Sequence, residues 1–138
     1  MIDSNLLILD THIWIWWINQ DGHLSRGIAR RIEQDSGKLA ISSASVYEAL
    51  LQVRRGRLIV EGPLDEWLQI ATEGAEIMVL PVNASIAAQA AALPLHHGDP
   101  IDRIIIASAL HHNALLISVD GQFPNYSVLG ERLVTEQG

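Results

Sequence analysis

The chain has 138 residues, 49% of them hydrophobic and 18% charged, which is enough for one domain with a hydrophobic core and too apolar for a disordered segment. Nine Lys and Arg against sixteen Asp and Glu give a net charge of −7, so bulk attraction to nucleic-acid phosphates is excluded as the main source of any binding. With no cysteine, disulfides and thiolate metal sites are excluded as well. No apolar run approaches the ~18 residues that cross a bilayer, and the N-terminus lacks a basic leader, so the cytoplasm is the expected compartment and no membrane is expected as a partner.

Leu6-Leu7-Ile8-Leu9 is a continuous aliphatic run of the kind found in strands buried on both faces, and it ends in Asp10-Thr11-His12 before a Trp-rich helix. Ser25 is placed to cap a helix that runs to about Asp35, with Ile28, Ala29 and Ile32 as its apolar stripe and Gly37 as its end. Leu39 to Ser42 predicts a second strand. Ser43 to Ser45 offer caps for a helix holding Val46, Glu48, Leu50, Leu51 and Val53, which stops near Gly56. Pro63 introduces a helix from Leu64 to about Glu73, and Ile77 to Leu80 predicts a third strand closed by Pro81. Asn83 caps an alanine-rich helix through Leu93.

Gly98-Asp99-Pro100 is a strong helix start, because Asp is a good N-cap and Pro is favoured at the first helical position. The helix should run to about His112. Leu115 to Asp120 predicts a fourth strand ending, like the first, in a hydroxyl and a carboxylate; after a turn at Gly121, Ser127-Val128-Leu129 is expected to be a short fifth strand and the remainder a tail. Strands alternating with helices imply a mainly parallel sheet of four or five strands with right-handed crossovers, in a single domain over residues 1–138.

Asp102 shares its helical stripe with Ile105, Ile106 and Ala109, so its carboxyl is aimed at the sheet; complementing the helix dipole is the alternative account. Asp10, straight after a buried run, is either a cap or part of a site. Glu48 is open between a first-turn acid and a site residue, Asp120 between a turn residue and a site residue, and Asp99 between an N-cap and a ligand. In a parallel sheet these positions share one edge, where open α/β sheets bind ligands. Two like charges ~4 Å apart repel by roughly 4 kcal/mol at an effective dielectric of 20, so such a cluster requires protons or cations. All-oxygen ligation suits Mg2+ or Mn2+, and phosphodiester cleavage is the chemistry that follows.

The ordered set Leu9-Asp10-Thr11-His12, Ser42 to Glu48 leading to Val53-Arg54-Arg55-Gly56-Arg57-Leu58, Asp99-Pro100-Ile101-Asp102-Arg103 and Ile117-Ser118-Val119-Asp120 resembles the PIN-domain ribonucleases, and among them the VapC-type toxins of bacterial toxin–antitoxin pairs. The resemblance implies a three-layer α/β/α sandwich. It implies an acidic quartet of Asp10, Glu48, Asp102 and Asp120, with Thr11 and Ser118 as hydroxyl companions and Asp99 as an extra acid of one branch. It implies Mg2+- or Mn2+-dependent cleavage of RNA by a metal-activated water, a homodimer, and a cognate antitoxin that blocks the site. Ile101 stands where that branch often has Phe, and Gly121-Gln122 replaces a more usual polar or basic pair; neither is a proposed ligand.

Arg103 points away from the Asp102 stripe and is open between a phosphate contact, an acidic neighbour and a surface ion pair. Trp14 and Trp17 share a helical face, read as core or as a dimer or antitoxin surface. His96-His97 and His111-His112 are adjacent pairs that diverge on regular structure, which disfavours a His-rich metal site. Two other functions stay open at this point: a catalytically silent PIN-like scaffold that binds protein or RNA, and an aspartyl-phosphate phosphatase or receiver-like switch. The second calls for an Asp two residues after Asp10 or a lysine at a later strand end, and His12 and the lone Lys38 supply neither.

Overall fold

A computed structural model describes residues 3–34, 38–96 and 98–135. The predicted helix end at Asp35–Gly37, and His97, lie outside them. Five parallel strands form one sheet in the order β3-β2-β1-β4-β5, with β1 at Asp3–Leu9, β2 at Lys38–Ser42, β3 at Ile77–Leu80, β4 at Ala114–Ile117 and β5 at Leu133–Val134. The helices are α1 (Thr11–Asn19), α2 (Arg26–Gln34), α3 (Ser43–Arg54), α4 (Leu64–Ala71), α5 (Ala84–Ala92) and α6 (Pro100–His111).

Side-chain alternation along the strands divides the core into two layers. Leu7 and Leu9 of β1, Ile41 of β2, and Leu115 and Ile117 of β4 pack with Ile13 and Trp14 of α1, Ile28 and Ile32 of α2, and Trp67 of α4. The intervening residues Ile8, Ala40, Ala114 and Leu116 face the other way, onto Ile105, Ile106 and Ala109 of α6 and onto Phe123, Tyr126 and Leu129. In turn α5 packs on α6 through Ile86, Ala90 and Ala107. Helices thus cover both faces of the parallel sheet, as the sequence predicts. Trp14 belongs wholly to this core, with its indole N–H donated to the Ala71 carbonyl at 2.9 Å and its ring against Trp67.

One predicted strand is not formed. Ser127-Val128-Leu129 lies in a 3-10 segment, Ser127–Arg132, where only Leu129 is buried and Gly130 takes a φ of 51°. The fifth strand falls four residues beyond, in the stretch read as tail, with Leu133 beside Leu116 and Val134 beside Ile117. Chain order reverses across β1: β2 follows on one side, β4 lies on the other. The C-terminal end of β1 is therefore the switch point of the sheet.

Candidate active site

Asp10 occupies that switch point. Its backbone N–H continues the sheet by bonding the Ile117 carbonyl at 2.9 Å, and the residue then acts as N-cap of α1. Both carboxylate oxygens are held: Oδ1 accepts from the Thr11 N–H and Oδ2 from the Ser118 hydroxyl, each at 2.8 Å. The Ser118 hydroxyl also accepts the Asp120 N–H at 3.1 Å, so one side chain ties the turn after β4 to the carboxylate after β1. Thr11 donates its hydroxyl to Ser45 on α3 at 2.8 Å. Ser45 is fully buried, and sequence alone offers it only as a possible cap; Ser42 takes the cap, accepting the Ala44 N–H. Its distinguishing feature, a place one turn before Glu48 on the helix that faces Thr11, is a property of the fold.

Asp99 is the N-cap of α6, accepting from the N–H groups of Ile101 and Asp102. Asp120 is half-buried and accepts the Gln122 N–H, so its turn role is real and leaves one oxygen uncommitted by that bond. Glu48 is half-buried on α3. Asp102 is buried on the stripe with Ile105, Ile106 and Ala109.

These acids converge electrically. Burial pushes the Asp102 carboxyl up to about 8, and the charges of Asp10, Asp99, Asp120 and Glu48 push in the same direction. Asp10 is raised to about 6, chiefly by burial; its bonds from Ser118 and Thr11 and the nearby His12 work against the rise, while Asp120 adds to it. Five acids from four separate stretches of chain therefore act on one another at one edge of the sheet. Arg103 does not join them. It is buried and donates to the carbonyls of Ala90, Ala91, Leu93 and Pro94, which corrects the expectation of a phosphate contact, an acidic neighbour or a surface ion pair.

The donors at this edge are carboxylates and hydroxyls, a set that suits a hard divalent cation. Among the described residues no three Asp, Glu or His side chains form a ready-made ligand cage. Mg2+ is usually held through one or two carboxylates with its remaining positions taken by water and substrate phosphate, so Asp10, Glu48, Asp102 and Asp120 are the residues that would hold it.

A five-stranded parallel sheet flanked by helices, with acidic residues at its switch point, defines an α/β protein with a candidate site at the carboxyl edge of the sheet, and a PIN domain profile matches residues 7–129: the chain belongs to the PIN domain family. It is 32% identical over 115 residues to Ribonuclease VapC22 of Mycobacterium tuberculosis, covering 83% of this chain and 86% of that one. Among solved structures it resembles a DNA-bound VapBC from Salmonella typhimurium, with a TM-score of 0.68, 18% identity and 98% of each chain covered. VapBC-1 from nontypeable Haemophilus influenzae is similar with a TM-score of 0.62 and 20% identity over 95% of this chain and 96% of that one. At these identities the two structures speak to fold alone.

Proposed function

We propose that this chain is a Mg2+- or Mn2+-dependent endoribonuclease acting as the toxin of a toxin–antitoxin pair, with Asp10, Glu48, Asp102 and Asp120 as its catalytic acids. The observation that carries the reading is the Asp102 carboxyl, raised to about 8 beside four other acids on a stripe otherwise made of core residues. Like charges held together in a partly buried site are relieved by a bound cation, and carboxyls so perturbed gather at functional sites. The 32% identity to a protein named as a ribonuclease supports the same chemistry.

When bound, the cation supplies a Lewis acid and a water of lowered pKa for attack at phosphorus. The chain's own residues prepare the place. Ser118 and the Thr11 N–H fix both oxygens of Asp10, so its outward lone pairs are presented in one orientation. Asp102 releases its proton as positive charge arrives, so cation affinity rises with pH toward 8. Asp120 and Glu48 complete the negative surface, and Asp99 holds the start of α6 so that Asp102 stays aimed at Asp10.

The solved neighbours are described as VapBC and toxin–antitoxin complexes, which supports a cognate antitoxin as partner. A basic side chain from it would satisfy these carboxylates in place of metal. An apolar surface for the rest of such an antitoxin segment is available nearby: Leu50 and Leu51 line an open hollow of about 520 Å3 with Tyr47 and Leu64, whereas Leu58 packs against the core. A homodimer remains part of the reading. The deciding experiment is Mg2+ and Mn2+ titration of a short fluorescent RNA with the purified chain beside Asp10→Asn. Metal-dependent cleavage by the parent and none by the variant is expected; equal rates of cleavage would overturn the assignment of Asp10, and no cleavage by the parent would overturn the nuclease and leave the binding scaffold.

A further inference from the structure

Two positions beyond Asp10 a row of three rings begins on the outside of the protein. His12 is exposed, and its ring lies 5.9 Å from that of Trp16, one helical turn on, with the planes tilted by 48°. Trp16 is stacked on His23 at 5.6 Å with only 22° between the planes. His23 follows α1, with its side chain 76% exposed, and is held in place by Asp21, whose Oδ1 accepts the His23 N–H at 2.8 Å and meets Nδ1 at 2.6 Å. Trp16 is half-buried and packs its inner side against the core, whereas His12 and His23 flank its ring from outside and are themselves exposed, so each histidine keeps an outward side open to solvent. The inner end of the row adjoins the carboxylates, since the His12 charge acts on Asp10.

We propose that His12, Trp16 and His23 form a stacking track for unpaired nucleotides of an RNA substrate, seating bases beside the phosphate presented to Asp10. The proposal rests on the nuclease reading for its substrate class and adds to it the surface that holds the strand. A chain of net charge −7 cannot grip RNA through bulk phosphate attraction, whereas single strands are commonly held by stacking bases on aromatic rings. Charge sets the strand's lie as well. Trp16 also lines a hollow of about 520 Å3 together with Asp21 and Glu33, acids that repel phosphate, so the bases meet the rings and the backbone runs on the side away from that hollow.

The test separates binding from cleavage. Affinity for a short, labelled, unpaired RNA of mixed sequence is measured by anisotropy in Mg2+ on the non-cleaving Asp10→Asn chain, alone and combined with His12→Ala, His23→Ala or His12→Tyr. Each Ala is expected to weaken binding about tenfold, the scale of one lost base–aromatic stack, and His12→Tyr to stay within about twofold. An RNA with abasic residues in place of its bases should bind weakly and be indifferent to all three changes. In the cleaving chain the same Ala variants should raise KM and spare kcat. Unchanged affinity in both Ala variants, an equal loss for abasic RNA, or no RNA binding by the parent would overturn the track. So would loss of binding to an oligo-arginine peptide with RNA unaffected, which would assign the surface to a basic protein segment. Ring-dependent RNA binding by a chain that never cleaves would sink the nuclease reading and leave the track standing.

Discussion

Ser118 donates its hydroxyl to Asp10 across 108 positions of sequence, at 2.8 Å and in full burial. The bond favours the ionised carboxylate and opposes the burial that raises it to about 6. Ser118→Ala removes that opposition, so Asp10 should hold its proton to higher pH, and the lower of the two acidic breaks in the pH–rate profile, beneath the one set by Asp102, should move alkaline by about one unit, the scale of a single hydrogen bond to a charged group. Rates between pH 5 and 9 at saturating Mg2+ and again at limiting Mg2+ check this. The displacement should be larger at limiting metal, where the cation does less to drive the proton off.

Asp102 and Asp10 make the metal-free fold pH-sensitive in a defined direction. Unfolded, both carboxyls lose their protons near pH 4; folded, they keep them to about 8 and about 6. Over that interval the native state binds more protons than the unfolded one, so their contribution to stability falls as pH rises from about 4 to about 8 and is gone above it. Asp102→Asn should flatten the decline and be more stable than the parent at pH 8 by on the order of 1–2 kcal/mol, a figure that allows for solvent screening of a partly accessible cluster. Thermal melts with EDTA at several pH values measure it. Adding Mg2+ at pH 8 should raise the parent's Tm and raise the variant's less.

Trp14 offers a control away from the carboxylates. Its indole N–H reaches the Ala71 carbonyl at 2.9 Å and joins α1 to the end of α4. Trp14→Phe keeps a ring against Trp67 but leaves a buried carbonyl without its donor and a small void, a loss of about 2 kcal/mol in urea unfolding. Cleavage per folded molecule should be unchanged, because Asp10 is oriented by Thr11 and Ser118 rather than by the indole.

Local chemistry made much of this fold legible. Leu6 to Leu9 reads as a doubly buried strand because every side chain is aliphatic, and Asp99-Pro100 reads as a helix start because cap and first-turn preferences coincide; the structure has both. That Asp10, Asp102 and Asp120 share an edge follows once the sheet is parallel. Features set by pairing over distance left no such trace. Leu133-Val134 is a two-residue strand made by its neighbours Leu116 and Ile117, too short to show alternation, while Val128-Leu129 carries an apolar signal that Gly130 turns into a 3-10 bend. Ser45 looked like any helix-start serine until α1 brought Thr11 against it. Helical spacing puts Arg103 on the side of its helix away from Asp102, but what lies there, the carbonyls at the end of α5, depends on how the chain leaves that helix.

That exit from α5 yields the last prediction. The final carbonyls of a helix have no intrahelical donor, and a cation there also complements the helix dipole. Arg103 fills both needs from the neighbouring helix: Nη1 donates to Pro94 at 2.8 Å, and Nη2 to Ala90 at 2.8 Å, Leu93 at 2.7 Å and Ala91 at 3.4 Å. A planar guanidinium can span these acceptors and an ammonium cannot. Arg103→Ala should therefore cost roughly 2–4 kcal/mol, with Arg103→Lys recovering only part of it, because buried carbonyls are left unpaired. Urea unfolding in EDTA gives the stability, and KM for the short RNA, taken per folded molecule, gives the contribution to substrate binding. A guanidinium committed to the end of α5 should leave KM within about twofold, whereas a phosphate contact of the kind Arg makes elsewhere would raise KM by about tenfold or more with little change in stability. The second pattern would mean that the side chain leaves the α5 carbonyls to meet substrate.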